Sequence, residues 1–218
     1  MAPITEEYLR HEMIRVTRLV TQQGLSCSSD GNISARLSED CLLVTPSGLH
    51  KMSMESDDLV IVNLEGETVQ AKPGLKPTSE LKMHIEVYSQ RPHVQAVLHA
   101  HPPYSTALTL VDASFPTEYL PEVLVALGEV PTAPYATPGT AKLAESIREP
   151  IKHHNTVMLS HHGSLNVGPT LSKTLIDLER LEHAAYTYYL AYNLGNPIRL
   201  PSAELTNLET IGQQMRGS

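Results

Sequence analysis

The chain has 218 residues, 41% of them hydrophobic, which excludes a disordered polymer and suffices for one substantial α/β core. Its formal charge is −8 with no basic run, which argues against a nucleic-acid partner while leaving room for an anionic metabolite held by local donors. No apolar run reaches membrane-span length, Glu6, Glu7 and Glu12 interrupt the N-terminal segment where a secretory signal would be apolar, and Cys27 and Cys41 read as free thiols. The expectation is a cytoplasmic protein.

Residues 4–23 read as a helix with Leu9, Met13, Val16 and Val20 on one face and Gly24 as its stop. Short strands follow near Gly31–Arg36, Cys41–Thr45 and Leu59–Asn63, and the Glu65-Gly66 turn returns the chain into Thr68–Gln70. A helix starts after Pro77, with Thr78 or Ser79 as N-cap and Leu81, Ile85 and Tyr88 as its buried stripe. Val94–His99 is a buried strand, and Tyr104 to about Val111 a helix. Val123–Leu127 and Val130–Ala136 are apolar, but Pro131 and Pro134 favour irregular or edge structure. A helix over Thr140–Lys152, strands over Thr156–Ser160 and Ser164–Val167, a long helix over Leu171–Leu194 ended by Gly195, and a weak helix over Ala203–Met215 complete the chain. Elements interleave as in one α/β domain, 1–218, with no repeat, no Gly-x-Gly-x-x-Gly and no Walker loop.

The most informative segment is Val97-Leu98-His99-Ala100-His101-Pro102. Positions i and i+2 of a strand face the same side, so both imidazoles can address one metal ion. A third candidate lies in Leu159-Ser160-His161-His162-Gly163, where adjacent histidines on an extended run would point to opposite faces; spacing does not say which reaches the metal. Three imidazoles with an open fourth position suit a catalytic zinc, although a lone histidine at a strand end is more often structural.

Three further elements look built to hold an anion without net charge: Gly31-Asn32, Ser47-Gly48 within Thr45-Pro46-Ser47-Gly48, and Thr78-Ser79 at a helix start. Ordinary turn and cap chemistry uses the same residues. Glu80, in the first turn of that helix, reads either as dipole compensation or as an acid/base beside the metal. His84 reads as packing or as support behind the site, His153-His154 as surface, and Tyr186, Tyr188, Tyr189 and Tyr192 as core and interface residues.

Gly31-Asn32-Ile33-Ser34, Thr45-Pro46-Ser47-Gly48, Pro77-Thr78-Ser79-Glu80, His99-Ala100-His101 and His161-His162-Gly163, in that order, resemble the class II aldolase/adducin family, more narrowly the bacterial L-fuculose-phosphate-type aldolases. The resemblance runs from about Glu6 to Gly195. It implies a three-layer α/β/α domain with a mainly antiparallel central sheet, and a C4 homotetramer with interfacial active sites. It also implies one zinc ion per subunit on His99, His101 and His162, with Glu80 as acid/base and Gly31, Asn32, Ser47, Gly48, Thr78 and Ser79 binding the substrate phosphate. The implied reaction is zinc-dependent retro-aldol cleavage of a ketose 1-phosphate to dihydroxyacetone phosphate and an aldehyde. Fuculose-phosphate aldolases place a tyrosine after His-x-His for the aldehyde-side oxygen; here Leu120 stands there beside Tyr119, and Asn193–Ser218 contains no tyrosine. A smaller or more apolar aldehyde fits that change, as in 5-deoxypentulose or methylthiopentulose phosphates. The alternatives are a decarboxylase of a 3-oxo-tetronate 4-phosphate, a methylthioribulose-phosphate dehydratase, an epimerase (disfavoured, since the related epimerases carry aspartate at the Glu80 position) and a non-catalytic adducin-like module, which lacks the metal histidines.

Overall fold

Strand β1 (Asn32–Arg36) and strand β5 (Ala96–Ala100) pair antiparallel at the middle of an eight-stranded sheet, and the candidate site grows from the end of that pair. The computed structural model describes residues 5–216. The other strands are β2 (Cys41–Val44), β3 (Val60–Asn63), β4 (Thr68–Gln70), β6 (Thr132–Ala133), β7 (Thr156–Leu159) and β8 (Gly163–Gly168), in the order β4-β3-β2-β1-β5-β8-β7-β6. All pairings are antiparallel except β6 with β7. The sheet is therefore mixed, with a parallel edge where a mainly antiparallel one was expected. The physical reason is the connection: helix α5 (Ala141–Ile151) carries the chain from β6 to β7, and a crossover helix returns a strand parallel to its predecessor.

Alternation along the strands separates two apolar layers. On one face, Ile33, Leu43, Ile61 and Leu98 pack with α1 (Glu6–Gln22), α4 (Pro121–Leu127) and α6 (Leu171–Leu194). On the other, Leu42, Val44, Val60, Val62, Val97 and Leu165 pack with α2 (Leu81–Gln90) and α5. The expected face of α1 is buried at Leu9, Met13, Val16 and Val20, and Gly24 follows in the left-handed region at φ 72°. Two further helices, α3 (Pro103–Leu110) and α7 (Ser202–Arg216), flank this frame.

Three local expectations are corrected. Helix α2 starts after Glu80, which holds the N-cap position without a side-chain capping bond, not after Thr78 or Ser79: the Thr78 hydroxyl accepts from the Glu80 N–H at 3.3 Å, ahead of the first helical residue. Val123–Leu127 belongs to a helix that Pro121 opens at its first turn, where no N–H is needed. Tyr186, Tyr189 and Tyr192, read as core and interface residues, are exposed on the single chain and are therefore not core. No helix among the described residues is long and apolar enough to cross a membrane.

Candidate active site

Sheet register puts the polar residues on one face. Val97, His99 and His101 alternate toward the α2 side, and Asn32 is the direct cross-strand partner of His99. Ser34 follows Asn32 by two and faces the same way. On α2, Glu80, His84 and Tyr88 recur every four residues and form one stripe opposite them.

The third histidine arrives by a tight turn, not by an extended run. The His162 N–H donates to the Leu159 carbonyl at 3.0 Å, and His161 occupies the left-handed region at φ 58°. His161 is thereby turned outward beside Tyr135, with ring centroids 6.2 Å apart, while His162 turns inward. Gly163 makes this possible, because a Cβ there would overlap the Ala100 carbonyl oxygen and crowd the His101 ring. Strand β8 can therefore approach β5 closely only at a glycine.

His99, His101 and His162 form a nearly equilateral cluster, with ring centroids 4.7–4.9 Å apart. One nitrogen from each can be chosen so that all lie within 4.8 Å of one another. His99 Nδ1 contacts the Ser164 carbonyl at 2.9 Å, and a carbonyl only accepts, so Nδ1 carries the proton and Nε2 is left as a lone pair. That lone pair faces His101 Nε2 at 2.9 Å and Glu80 Oε2 at 3.1 Å. Glu80 Oε1 lies 3.5 Å from His162 Nε2, and both Glu80 Oε1 and His162 Nδ1 are buried without a hydrogen-bond partner. His99 Nε2 and the Glu80 carboxylate face each other as acceptors unless a cation stands between them, either a metal ion or a second proton on His99. The donor set, three imidazoles and a carboxylate, fits zinc.

Burial pushes His101 down to about 3 and His162 to about 4, helped by neighbouring imidazoles, so both are neutral and able to ligate at pH 7. For Glu80 burial works upward, but the hydrogen bond and charge of His99, with the Asn32 amide, outweigh it and hold the carboxyl well below its usual range.

The expected anion-binding residues are brought together as two adjoining loops and a strand entrance. Ser47 N–H donates to the Lys76 carbonyl at 2.9 Å, Thr78 N–H to the Thr45 carbonyl at 3.1 Å, and Thr45 N–H to the Ile33 carbonyl at 3.0 Å. Ser47, Gly48 and Ser79 lie at the surface of this group, and Gly48 has φ 77° with open space where a side chain would stand. Gly31, at φ 71°, leaves no room for a Cβ between Ser26 Oγ and the His99 carbonyl. Thr78 is buried and its Oγ1 accepts from the Glu80 N–H at 3.3 Å, so its hydroxyl supports the turn that leads into Glu80. Asn32 is also engaged inward: Nδ2 donates to Glu80 Oε2 at 2.8 Å, leaving one amide hydrogen for an external partner.

Two residues at the site were not singled out from the sequence. Lys51 is 4% exposed and lines a small hollow with Asp30, Gly31, Asn32, Thr45 and His99; burial lowers it to about 8 against the pull of Asp30. Ser34 links α2 to β1, as developed below. Lysine and serine in loops and strands carry no spacing signal that distinguishes them beforehand. Leu120 packs against the core, and Tyr119 beside it stacks on Tyr188 with centroids 5.0 Å apart.

Residues 11–189 match the family model described as Class II Aldolase and Adducin N-terminal domain. The chain is 32% identical over 197 residues to a 5-methylthioribulose-1-phosphate/5-deoxyribulose-1-phosphate aldolase of Rhodospirillum rubrum, covering 90% of this chain and 87% of that one. It is 31% identical over 211 residues to a 3-oxo-tetronate 4-phosphate decarboxylase of Escherichia coli K12, covering 94% and 97%. Among solved structures, an L-fuculose 1-phosphate aldolase superposes with a TM-score of 0.84 at 28% identity, over 93% of this chain and 94% of that one.

Proposed function

The chain belongs to the class II aldolase and adducin family, and from that premise we propose that it is a metal-dependent carbon–carbon lyase cleaving a ketose 1-phosphate to dihydroxyacetone phosphate and a small aldehyde. The observation that carries this reading is the convergence of His99, His101 and His162 on the carboxylate of Glu80.

Zinc held by His99, His101 and His162 would supply Lewis-acid stabilisation of the charge that develops on the substrate carbonyl oxygen. The chain's own residues do the rest. Gly31, Asn32, Ser47, Gly48, Thr78 and Ser79 supply backbone and side-chain donors for the phosphate, and so fix which carbon lies beside Glu80. In the condensation direction Glu80 takes a proton from the carbon that forms the new bond; in cleavage it returns that proton to the same carbon. The Asn32 amide holds one of its oxygens, Oε2, and the other, Oε1, is buried without a hydrogen-bond partner and is open to accept that proton.

Leu120, where the fuculose-phosphate enzymes use tyrosine, supports an aldehyde with an apolar end, as does the likeness to the Rhodospirillum rubrum aldolase. The likeness to the Escherichia coli decarboxylase favours a second reading, since decarboxylation of a 3-oxo acid phosphate uses the same charge stabilisation and the same protonation of carbon. Cytoplasmic residence fits the free cysteines Cys27 and Cys41, and the exposed apolar side chains of α6 are consistent with a homotetramer.

The test is direct. Zinc-loaded protein is incubated with dihydroxyacetone phosphate and a panel of aldehydes, and in parallel with 3-oxo-tetronate 4-phosphate. Ketose phosphates in the first reaction, with a preference for short apolar aldehydes, are the expected result. Carbon dioxide from the second and no product from the first would replace the aldolase reading with the decarboxylase.

A further inference from the structure

His84, Ser34 and Tyr88 have no part in the chemistry above, yet they form a continuous buried chain ending on Glu80. Tyr88 OH lies 3.0 Å from Ser34 Oγ, Ser34 Oγ 2.6 Å from His84 Nδ1, His84 Nε2 2.6 Å from Asn32 Oδ1, and Asn32 Nδ2 2.8 Å from Glu80 Oε2. His84 is 0% exposed, Ser34 0% and Tyr88 2%. In such a layer an unpaired polar atom has no water to turn to, so the bonds must all be made at once.

Donor and acceptor roles along the chain have one consistent solution. A carboxylate only accepts, so Asn32 must present its N–H to Glu80 and its carbonyl to His84. His84 Nε2 must then donate. His84 is fully buried and its ring bonds only to the neutral groups Ser34 and Asn32, with no carboxylate to balance a charge, so the ring is neutral and Nδ1 must accept. Ser34 therefore donates to His84, and Tyr88, the remaining hydroxyl, donates to Ser34. Reversing any link puts two acceptors face to face at the next one, and the Asn32 amide would turn its oxygen on the carboxylate.

We infer that Tyr88, Ser34, His84 and Asn32 form a one-directional hydrogen-bond chain that orients the Glu80 carboxylate toward the histidine cluster, with His84 as the positioning residue at its centre. The inference rests on the proposed role of Glu80, but the direction of the chain is a property of the protein alone and is measurable without substrate. Deletion of the His84 donor frees the Asn32 amide to rotate, and Glu80 then loses its orientation while the zinc ligands and the phosphate loops stay as they are.

The test has two arms on the full-length protein. In the first, nitrogen-15 spectra of histidine-labelled protein, assigned by the signal lost in His84→Gln, report which ring nitrogen of His84 carries the proton. The expected result is a protonated Nε2 in slow exchange with solvent and a bare Nδ1, with the Nδ1 signal shifted in both Ser34→Ala and Tyr88→Phe. A protonated Nδ1 overturns the inference. In the second arm, zinc-loaded variants are assayed for exchange of a dihydroxyacetone phosphate C–H with deuterium. His84→Leu should lose at least ten-fold in rate at unchanged zinc content. His84→Gln, which keeps an N–H donor for Asn32, should recover most of it. Equal rates in wild type and folded His84→Leu, or equally slow Gln and Leu variants, contradict the positioning role. Should His84→Leu not fold, Ser34→Ala carries the rate comparison. If wild type itself does not exchange, the aldolase reading fails while the spectra still decide the chain.

Discussion

The Nε2 atoms of His99 and His101 stand 2.9 Å apart, and the first of them, with its proton held on Nδ1 by the Ser164 carbonyl, has only a lone pair to offer. The Glu80 carboxylate meets that lone pair at 3.1 Å, so a cation belongs between them. The purified protein is expected to carry about one divalent ion per chain, most favourably zinc. His101→Ala should lose most of the metal by elemental analysis and most of the activity with it. Full activity after exhaustive chelation would remove the metal from the account.

The two loops bridged at Pro46 and Pro77 present Ser47, Gly48 and Ser79 at the surface. Ser79→Asp places a negative charge where the phosphate is expected and removes a donor. Its KM for a phosphorylated ketose should rise at least ten-fold while metal content holds, because no histidine ligand touches this loop. Equal turnover of phosphorylated and unphosphorylated ketoses by the wild type would show that the loops are ordinary turns.

Buried Lys51 gives a pH signature. Its folded pKa, about 8, lies below the ordinary lysine value of 10.5, so between these values the unfolded chain binds more protons than the native one. The cost of burying this charge is therefore present in full below about pH 8 and fades as pH rises to 10.5. Lys51→Met removes the buried charge. Urea denaturation should find the variant more stable than wild type at pH 7, by up to about 3 kcal/mol, with the gap closing toward pH 10. A gap independent of pH would mean that Lys51 is not desolvated in solution.

Gly163 sets the distance between β8 and β5, and hence the place of His162. Gly163→Ala forces a methyl group against the Ala100 carbonyl and the His101 ring. The expected cost is about 1–3 kcal/mol of stability, with metal affinity falling at least ten-fold because two ligands are displaced together. Wild-type metal affinity in a folded alanine variant would show that the close approach is unimportant.

Much of this was legible beforehand where one local rule governs. The α6 boundaries follow from apolar periodicity and Gly195, and the His-x-His pair follows from the two-residue strand repeat. The reading fails where a tertiary contact overrides a local preference. Thr78 is a good cap by type, but its hydroxyl is spent on the Glu80 N–H ahead of the helix, and the N-cap position falls at Glu80. His161 and His162 look like an extended pair until the turn at Leu159 sends His161 into the left-handed region. Tyr88 fits an apolar stripe, yet its hydroxyl is what closes the buried chain to Ser34, and only the register of Asn32 against His99 reveals that. The separation of His162 from His161 and the residues of the phosphate loops came from family resemblance, because spacing alone leaves both open.

The most direct measurement of the central claim is the exchange of a dihydroxyacetone phosphate C–H with solvent deuterium, compared between wild type and Glu80→Gln. It isolates proton transfer from whatever aldehyde the enzyme accepts. Glutamine keeps the size of the side chain and removes its basicity, so as a mere helix cap Glu80 would be worth about 1 kcal/mol or less. The account predicts that zinc-loaded wild type exchanges one hydrogen, and that the glutamine variant, folded and still holding zinc, is slower by roughly 100-fold or more. Exchange at the wild-type rate in Glu80→Gln would contradict it.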